Sequence, residues 1–110
     1  MDASPLDRSL LLDFYGELLT EKQRSACELH WNEDLSLAEI AEQSGITRQA
    51  VGDVVRRAEE TLRGYEARTG LVRRFLERRE AIAAIRAELA GLLPTDERSR
   101  DILARLEELM

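Results

Sequence analysis

Cys27 and His30 are the two residues whose types could combine into a reactive site. They lie three positions apart, which places them on one face of a helix. A thiol beside an imidazole can act as a nucleophile with its base, or the two can ligate a metal. No third ligand is close in sequence, so a small core cysteine beside a partly exposed histidine is the favoured interpretation. With no glycine-rich phosphate loop either, we expect no catalytic residue, no metal, no cofactor and no enzymatic activity.

Four arginines form the most basic local feature of the chain. They are Arg73, Arg74, Arg78 and Arg79. Because Glu77 and Glu80 lie among them, a solvated helix face is the first interpretation. Contact with RNA or with a phosphate backbone is the second, since duplex RNA is recognised mainly through its shape and backbone. These arginines are therefore a candidate secondary basic patch.

The composition limits the classes of protein to which the chain can belong. Of 110 residues, 16 are Lys or Arg and 22 are Asp or Glu, and the formal net charge is −6. That charge argues against nucleic-acid binding by bulk electrostatics but leaves room for a local basic face. A single cysteine excludes an internal disulfide. No apolar run reaches the ~20 residues that span a bilayer, and no signal-peptide pattern is present, so we expect a cytoplasmic protein without membrane insertion.

Apolar residues recur at helical spacing along the chain, which predicts an all-α fold. Helices are predicted over 5–19, 20–32, 36–44 and 47–69. Trp31 is expected to be a core residue that closes the hydrophobic end of the second helix, and a stacking platform is the alternative. We therefore expect a helix-turn-helix domain over residues 1–70, followed by an extended C-terminal helical arm over residues 71–110.

The third and fourth predicted helices have the features of a helix-turn-helix. Ser36 and Glu39 form a capping-box pattern at the start of the third helix. Gly45 supplies the left-handed residue of the turn, and Thr47 is placed to cap the fourth helix. Val51 begins the inner stripe of that helix. Two helices joined by a short turn with a central glycine form a helix-turn-helix when the side-chain sizes fit, as they do here.

The opposite face of the fourth helix is the candidate nucleic-acid-binding surface, because this part of a helix-turn-helix enters the major groove. Its candidate contact residues are Thr47, Arg48, Gln49, Gly52, Asp53, Arg56 and Arg57. Gln49 is suited to an adenine edge, Arg56 to a guanine or a phosphate, and Arg48 to a phosphate. Residues 36–69 hold five arginines against six carboxylates, so a helix-turn-helix that docks a protein stays open as an alternative.

The arm contains apolar residues at the spacing of a helix that packs along a partner helix. They are Phe75, Ile82, Ile85, Leu89 and Leu92. Pro94 ends this helix, and Thr95 is predicted to cap the last one. Because so short a chain offers little else to cover the arm, we expect a homodimer formed partly through residues 71–110.

Three segments resemble the YlxM-type helix-turn-helix proteins of bacteria. They are Leu19–Gln23, Glu33–Glu42 and Thr47–Val51. The resemblance implies an all-helical fold with a helix-turn-helix like that of sigma-factor region 4. It implies a DNA-binding role linked to the signal recognition particle pathway. We expect the partner to be nucleic acid, either DNA or the particle's RNA. The alternative, a protein-docking module, has the particle's GTPase or RNA polymerase as its partner. The resemblance implies no catalytic residue and no cofactor.

The chain departs from this family at one candidate contact position. Gly52 stands where the family usually has a tyrosine, and a glycine there removes a contact-sized ring. It also costs about 1 kcal/mol of helix propensity relative to alanine. We expect a relative of the sigma-factor motif rather than a sigma factor, because 110 residues leave no room for promoter-melting and core-binding helices.

Overall fold

Six α-helices and no strand make up the part of the chain that the structure describes. The computed structural model describes residues 5–110, with side chains from Asp7 onward. The helices are α1 (Pro5–Tyr15), α2 (Glu21–Cys27), α3 (Leu37–Ser44), α4 (Arg48–Thr69), α5 (Leu71–Leu92) and α6 (Glu97–Glu108). The all-α fold is confirmed. Within these residues no helix has the length and apolar character needed to cross a bilayer. The chain divides into two compact units, Met1–Val72 and Arg73–Met110.

The first unit is built around α4, which packs against α1, α2 and α3. One stripe of α4 is almost fully buried, with Val51 at 1% exposure and Ala58 and Leu62 at 0%. Cys27 of α2 is also fully buried. Burying an aliphatic side chain of this size stabilises the fold by about 1.5–3 kcal/mol. This stripe therefore fixes which face of α4 turns inward.

The turn between α3 and α4 has the geometry predicted from its glycine. Gly45 adopts φ 70° and ψ 23°, a left-handed conformation that favours glycine. Ser36 and Glu39 form the predicted capping box at the start of α3, with both hydrogen bonds at 3.0 Å. The backbone N–H of Ser36 thereby lowers the pKa of Glu39. Thr47 caps α4 by accepting from the Ala50 N–H at 3.0 Å.

The structure differs from the continuous helices predicted over 5–19 and 20–32. α1 ends at Tyr15 and is followed by a 3-10 turn over Gly16–Leu18. Helical structure does not continue through Leu19, because the backbone of this residue is extended. The next residue, Thr20, then caps α2. α2 ends at Cys27 and gives way to a π-helical segment. Both interruptions lie inside stretches whose apolar spacing alone fits one helix.

The π-helical segment Glu28–Asn32 is held from two sides. Ser9 of α1 donates a hydrogen bond to Asn32 Oδ1 at 2.6 Å. His30 Nδ1 lies 2.7 Å from the backbone oxygen of Leu35. A π-helical turn contains one residue more than an α-helical turn, so it changes the register of the side chains that follow. The two contacts therefore decide which side chains of this segment point toward α1.

The second unit has few buried residues. Within Arg73–Met110, Ser99 is the only residue that is buried. Ile85, Leu92 and Leu109 are 52%, 81% and 68% exposed. The apolar spacing of the arm is therefore present in the helices, but much of its apolar surface faces solvent.

The last helix begins one residue later than predicted. Asp96, and not Thr95, is its cap, and the Asp96 carboxylate accepts from the Ser99 N–H at 2.7 Å. Asp is a somewhat stronger cap than Thr, which accounts for the shift. The bonds from Ser99 lower the pKa of Asp96.

Tyr15 connects α1 to the carboxyl end of α4. Its ring is 3% exposed, and its hydroxyl donates to Glu66 Oε1 at 2.6 Å and hydrogen-bonds with the Thr69 hydroxyl. The same Glu66 oxygen accepts from the Val72 N–H at 2.9 Å. Burial raises the pKa of Tyr15, and the hydrogen bond to Glu66 raises it further. One carboxylate thus joins α1, the end of α4 and the first turn of α5.

Replacing Tyr15 with phenylalanine tests this connection. We expect Y15F to lower the free energy of unfolding by about 2 kcal/mol, because a buried hydrogen bond to a charged group is lost. Folding raises the pKa of Tyr15, so the proton on its hydroxyl stabilises the fold fully below about pH 10. That stabilisation is lost as the pH rises through the folded-state pKa. Denaturant titrations across this range should show the difference between wild type and Y15F shrinking.

The matched control is Y65F, at the neighbouring half-buried ring whose centroid is 5.9 Å from that of Tyr15. It should lower the free energy of unfolding much less than Y15F. A difference between wild type and Y15F that stays constant into the alkaline range would contradict the role given to the Tyr15 hydroxyl.

Candidate nucleic-acid interface

The amino end of α4 is open to solvent. Thr47, Arg48 and Gln49 are all exposed. The Ala50 N–H bonds to the Thr47 side chain and the Val51 N–H to the Thr47 backbone oxygen. The N–H groups of Arg48 and Gln49 are thus the two in the first turn that lack an intrahelical partner. Such groups, together with the helix dipole, favour a negatively charged ligand at this end.

The first turn of α4 also lacks a carboxylate. Four other helices carry one there, and these residues are Asp7 in α1, Glu21 in α2, Glu39 in α3 and Glu97 in α6. α4 has none in its first turn and begins with Arg48. No acidic side chain of that turn offsets the positive end of the helix, and an arginine adds to it.

Arg56 is exposed but is held by two carboxylates. Its Nη2 atom lies 3.2 Å from Asp53 Oδ1, and its Nη1 atom lies 3.6 Å from Glu60 Oε1. The three side chains are 61%, 51% and 66% exposed, so solvent screens both ion pairs and each is weak. The positive charge of Arg56, which the sequence predicts to contact a phosphate or a guanine, is therefore partly neutralised by two carboxylates of α4 itself.

Gly52 is only partly accessible among the seven candidate contact residues. A Cβ atom at this position would lie 3.6 Å from Leu37 Cδ1, and the residue is half-buried. Arg57, in contrast, is exposed. The structure thus gathers Thr47, Arg48 and Gln49 at one end of α4. It distributes the other four predicted residues over the next two turns, and these are Gly52, Asp53, Arg56 and Arg57.

The secondary basic patch lies on α5, in the second unit. All four of its side chains are exposed, and they are those of Arg73, Arg74, Arg78 and Arg79. The Nε atom of Arg73 is 3.9 Å from Glu77 Oε1. The exposure of these arginines is compatible with both interpretations of the sequence, a solvated helix face and a contact surface for a phosphate backbone.

A cleft of about 290 Å³ opens beside the middle of α4. Its walls come from α1, the π-helical segment, α3 and α4, and they are formed by Arg8, His30, Trp31, Leu37, Gly52, Val55, Arg56, Glu59, Glu60 and Arg63. Two of the candidate contact residues, Gly52 and Arg56, therefore line the cleft as well. No motif in the sequence indicates it, because its walls come from four elements.

Trp31 is half-buried and lines this cleft, so its predicted place in the fully buried core is wrong. The central guanidinium carbon of Arg8 lies 5.8 Å from the centroid of its ring. At that distance an arginine and an indole attract each other through a cation–π interaction. The apolar spacing that placed Trp31 in the core assumes an α-helical register, and the π-helical segment breaks that register.

Cys27 and His30 do not form a reactive pair. Burial raises the pKa of the Cys27 thiol to about 12, with further contributions from the charges of Glu59 and Glu28. His30 Nδ1 is 2.7 Å from the Leu35 backbone oxygen and is not paired with sulfur. A buried thiol that stays protonated at neutral pH is a poor nucleophile and a poor ligand. Among the residues whose side chains the structure describes, no three His, Cys, Asp or Glu side chains are grouped to hold a metal ion.

The comparisons with known proteins agree on one family. A family model described as "Putative helix-turn-helix protein, YlxM / p13 like" matches residues 4–103. A UPF0122 protein of Desulforamulus reducens is 44% identical over 105 residues, which cover 91% of this chain and 90% of that protein. A UPF0122 protein of Listeria innocua is 39% identical over 101 residues, covering 92% of each chain. One of Bacillus mycoides is 39% identical over 99 residues, covering 90% of each.

These matches confirm the resemblance carried by Leu19–Gln23, Glu33–Glu42 and Thr47–Val51. A helix-turn-helix family with an all-helical fold is typical of non-enzymes. The match spans nearly the whole chain and includes every helix of the first unit. The chain therefore belongs to the UPF0122 family of YlxM/p13-like helix-turn-helix proteins.

Proposed function

We propose that this chain is a non-enzymatic accessory protein that binds nucleic acid through the first turns of α4. One observation carries the proposal: the amino end of α4 is exposed and free of carboxylates, and Arg48 and Gln49 stand there beside two unbonded N–H groups. In a helix-turn-helix this end of the second helix enters the major groove. Gln49 then faces base edges, while Arg48 and the free N–H groups hold a phosphate.

The acidic balance of the chain makes this binding short-ranged. A net charge of −6 repels a polyanion at a distance. At physiological ionic strength, charges are screened beyond about 8 Å, so local contacts at the end of α4 act once the surfaces meet. We therefore propose a binder of modest affinity whose association weakens steeply as salt rises.

The proposed pathway is that of the signal recognition particle, and the family resemblance supports it. The particle's RNA is accordingly the RNA ligand to test beside duplex DNA. The same proposal places the chain in the cytoplasm. In this role it would regulate or assist the particle and would catalyse no reaction.

Removal of the Arg48 side chain is the direct test. We expect R48A to weaken binding of labelled duplex DNA or particle RNA about tenfold at low salt, because a phosphate contact at the helix end is lost. The slope of log affinity against log salt should fall by about 0.9 on DNA. Fluorescence anisotropy at several salt concentrations measures both quantities.

The matched control is R68A, which removes the same charge from an exposed position of the same helix. Arg68 lies twenty residues further along α4, about 30 Å away at 1.5 Å per residue. It should leave affinity and salt slope nearly unchanged. Equal losses in R48A and R68A would mean that net charge alone, and not the end of α4, governs binding.

Glu60 gives a test in the opposite direction. We expect E60Q to raise affinity about threefold to tenfold at low salt, because it removes a repelling charge and frees Arg56 from one of its two partners. The control is E108Q, which changes net charge equally at an exposed site on α6. An equal gain in E108Q would show that Arg56 takes no part.

The second candidate function is a protein-docking module without nucleic-acid readout, for a partner such as the particle's GTPase or RNA polymerase. An apolar groove of about 260 Å³ favours it. The groove lies among α2, α3 and α4, and its residues are Lys22, Ser25, Ala26, Leu29, Ile40, Ser44, Ile46, Val51 and Val54. No detectable binding of either nucleic acid at low salt would support this function over the first.

A homodimer through residues 71–110 belongs to the same proposal. Ile85 and Leu92 of α5 and Leu109 at the end of α6 are more than half exposed, and a second arm would cover such residues. Sedimentation equilibrium at micromolar concentration should give the mass of two chains. L92E should shift the equilibrium toward one chain without changing the helical content seen by circular dichroism, because Leu92 is 81% exposed in the single chain. A stable monomer for the unmodified chain would rule this dimer out.

A further inference from the structure

We infer that the cleft beside Trp31 binds one unpaired nucleobase of the bound nucleic acid, stacked on the indole ring. This inference rests on the proposed function and adds to it the class of nucleic acid that is bound. Trp31 is half-buried and lines a cleft whose other apolar walls are Leu37 and Val55. Bases taken out of a duplex stack on aromatic side chains of this kind in proteins that bind single-stranded segments.

The size and place of the cleft fit one base. Its volume of about 290 Å³ is just below the range of pockets that hold drug-sized ligands, so a single base suits it better than a larger molecule. Gly52 lines the cleft and lies four residues after Arg48, about 6 Å along α4. A strand whose phosphate is held at the amino end of α4 therefore passes the mouth of the cleft.

The charges around the cleft favour a neutral, polar occupant over a phosphate. Three arginines line it, but Glu59 and Glu60 line it too. Glu59 is held between two of the arginines, with its Oε1 atom 3.2 Å from Arg8 Nε and its Oε2 atom 3.0 Å from Arg63 Nε. A phosphate inside the cleft would meet both carboxylates, whereas base N–H groups can donate to a carboxylate.

One wall of the cleft contains a buried hydrogen-bond donor that makes no hydrogen bond to any residue that the structure describes. The Nε atom of Arg8 is buried and makes no hydrogen bond within the described part of the chain, although it lies at ion-pair distance from Glu59. A buried donor without an acceptor costs free energy. The guanidinium of Arg8 lies over the Trp31 ring, so a base that stacks there displaces it, and a ring nitrogen or carbonyl oxygen of that base can then accept a hydrogen bond from Arg8.

Gly52 keeps the cleft open. It is the one position of α4 lining the cleft that has no side chain. A Cβ there would meet only Leu37 Cδ1, at 3.6 Å, which is an ordinary contact. A larger side chain at this position can therefore enter the cleft without disturbing the backbone. Glycine inside a helix is destabilising relative to alanine. An open binding space is a functional reason for a glycine at this position.

If the cleft holds one base, the nucleic acid that binds must contain a base that can leave the duplex. A base inside a fully paired duplex cannot reach the cleft unless it is extruded, and extrusion costs least where the base is already unpaired. We therefore assign to this protein a duplex that carries an unpaired nucleotide, as in a bulge or a loop of a structured RNA.

Trp31 provides the readout, because it is the only tryptophan of the chain. The probes are a hairpin with a one-nucleotide bulge, the same hairpin fully paired, and the bulged hairpin with an abasic bulge. Each is prepared as RNA and as DNA and titrated at low salt. We expect saturable quenching of Trp31 emission by the bulged hairpin in at least one of the two forms. The paired and abasic hairpins should quench it little, and the bulged hairpin should bind about tenfold more tightly than the abasic one.

Two variants test whether the cleft itself is responsible. G52L fills it, and we expect G52L to abolish the tenfold preference for the bulged hairpin in anisotropy measurements. The matched control is G64L, which makes the same substitution on the same helix at an exposed glycine whose Cβ would meet nothing within 4 Å. G64L should retain the preference. Melting temperatures no lower than wild type establish that both variants fold.

The outcomes separate this inference from the proposed function. Bulge-dependent quenching that G52L removes and G64L keeps supports the inference. Hairpins that bind in an Arg48-dependent manner, with no bulge preference and no bulge-dependent quenching, overturn the inference and leave the proposed function intact. Failure of every hairpin to bind at low salt overturns both.

Discussion

The burial of one stripe of α4 is the constraint on which the rest of the structure depends. Val51, Ala58 and Leu62 are almost fully enclosed, and α1, α2 and α3 pack around the helix that carries them. Successive residues of an α-helix point 100° apart. A rotation of α4 by one residue would therefore withdraw all three side chains from the core. The cost of that rotation fixes the outward direction of Arg48 and Gln49 more firmly than any surface contact does.

Several carboxylates of the first unit have local partners, which lowers the negative charge that the fold presents near the positive end of α4. Glu59 lies between Arg8 and Arg63, and Glu66 accepts from the Tyr15 hydroxyl and a backbone N–H. Much of the acidity near the core is thus matched within the fold. No carboxylate lies in the first turn of α4, so the positive end of the helix and Arg48 are not offset within that turn.

Local features of the fold could be predicted from the sequence, and features that join distant segments could not. The capping box of Ser36 and Glu39 and the turn at Gly45 depend on residues within a few positions of one another, so their side-chain types suffice. The π-helical segment depends on contacts from Ser9 and Leu35, which apolar spacing does not encode. The cleft could not be predicted for the same reason, because its walls come from segments that are distant in the sequence. Helical geometry accounts for the positions of the seven candidate residues along α4, but the ion pairs of Arg56 also depend on side-chain conformation.

Arg56 is both a candidate contact residue of α4 and a residue that lines the cleft, and this links the two proposed contacts. It is a candidate phosphate ligand, it lines the cleft, and it is paired with Glu60, which lines the cleft as well. Both ion pairs of Arg56 are exposed and therefore weak, so a phosphate at the surface can draw the guanidinium away from Glu60. The Glu60 side chain is then left at the cleft without that partner, and an oxygen acceptor becomes available to base N–H groups, one that the amide oxygen of E60Q retains. Binding of a phosphate by Arg56 and binding of a base in the cleft would in this way favour each other, because both separate Arg56 from Glu60.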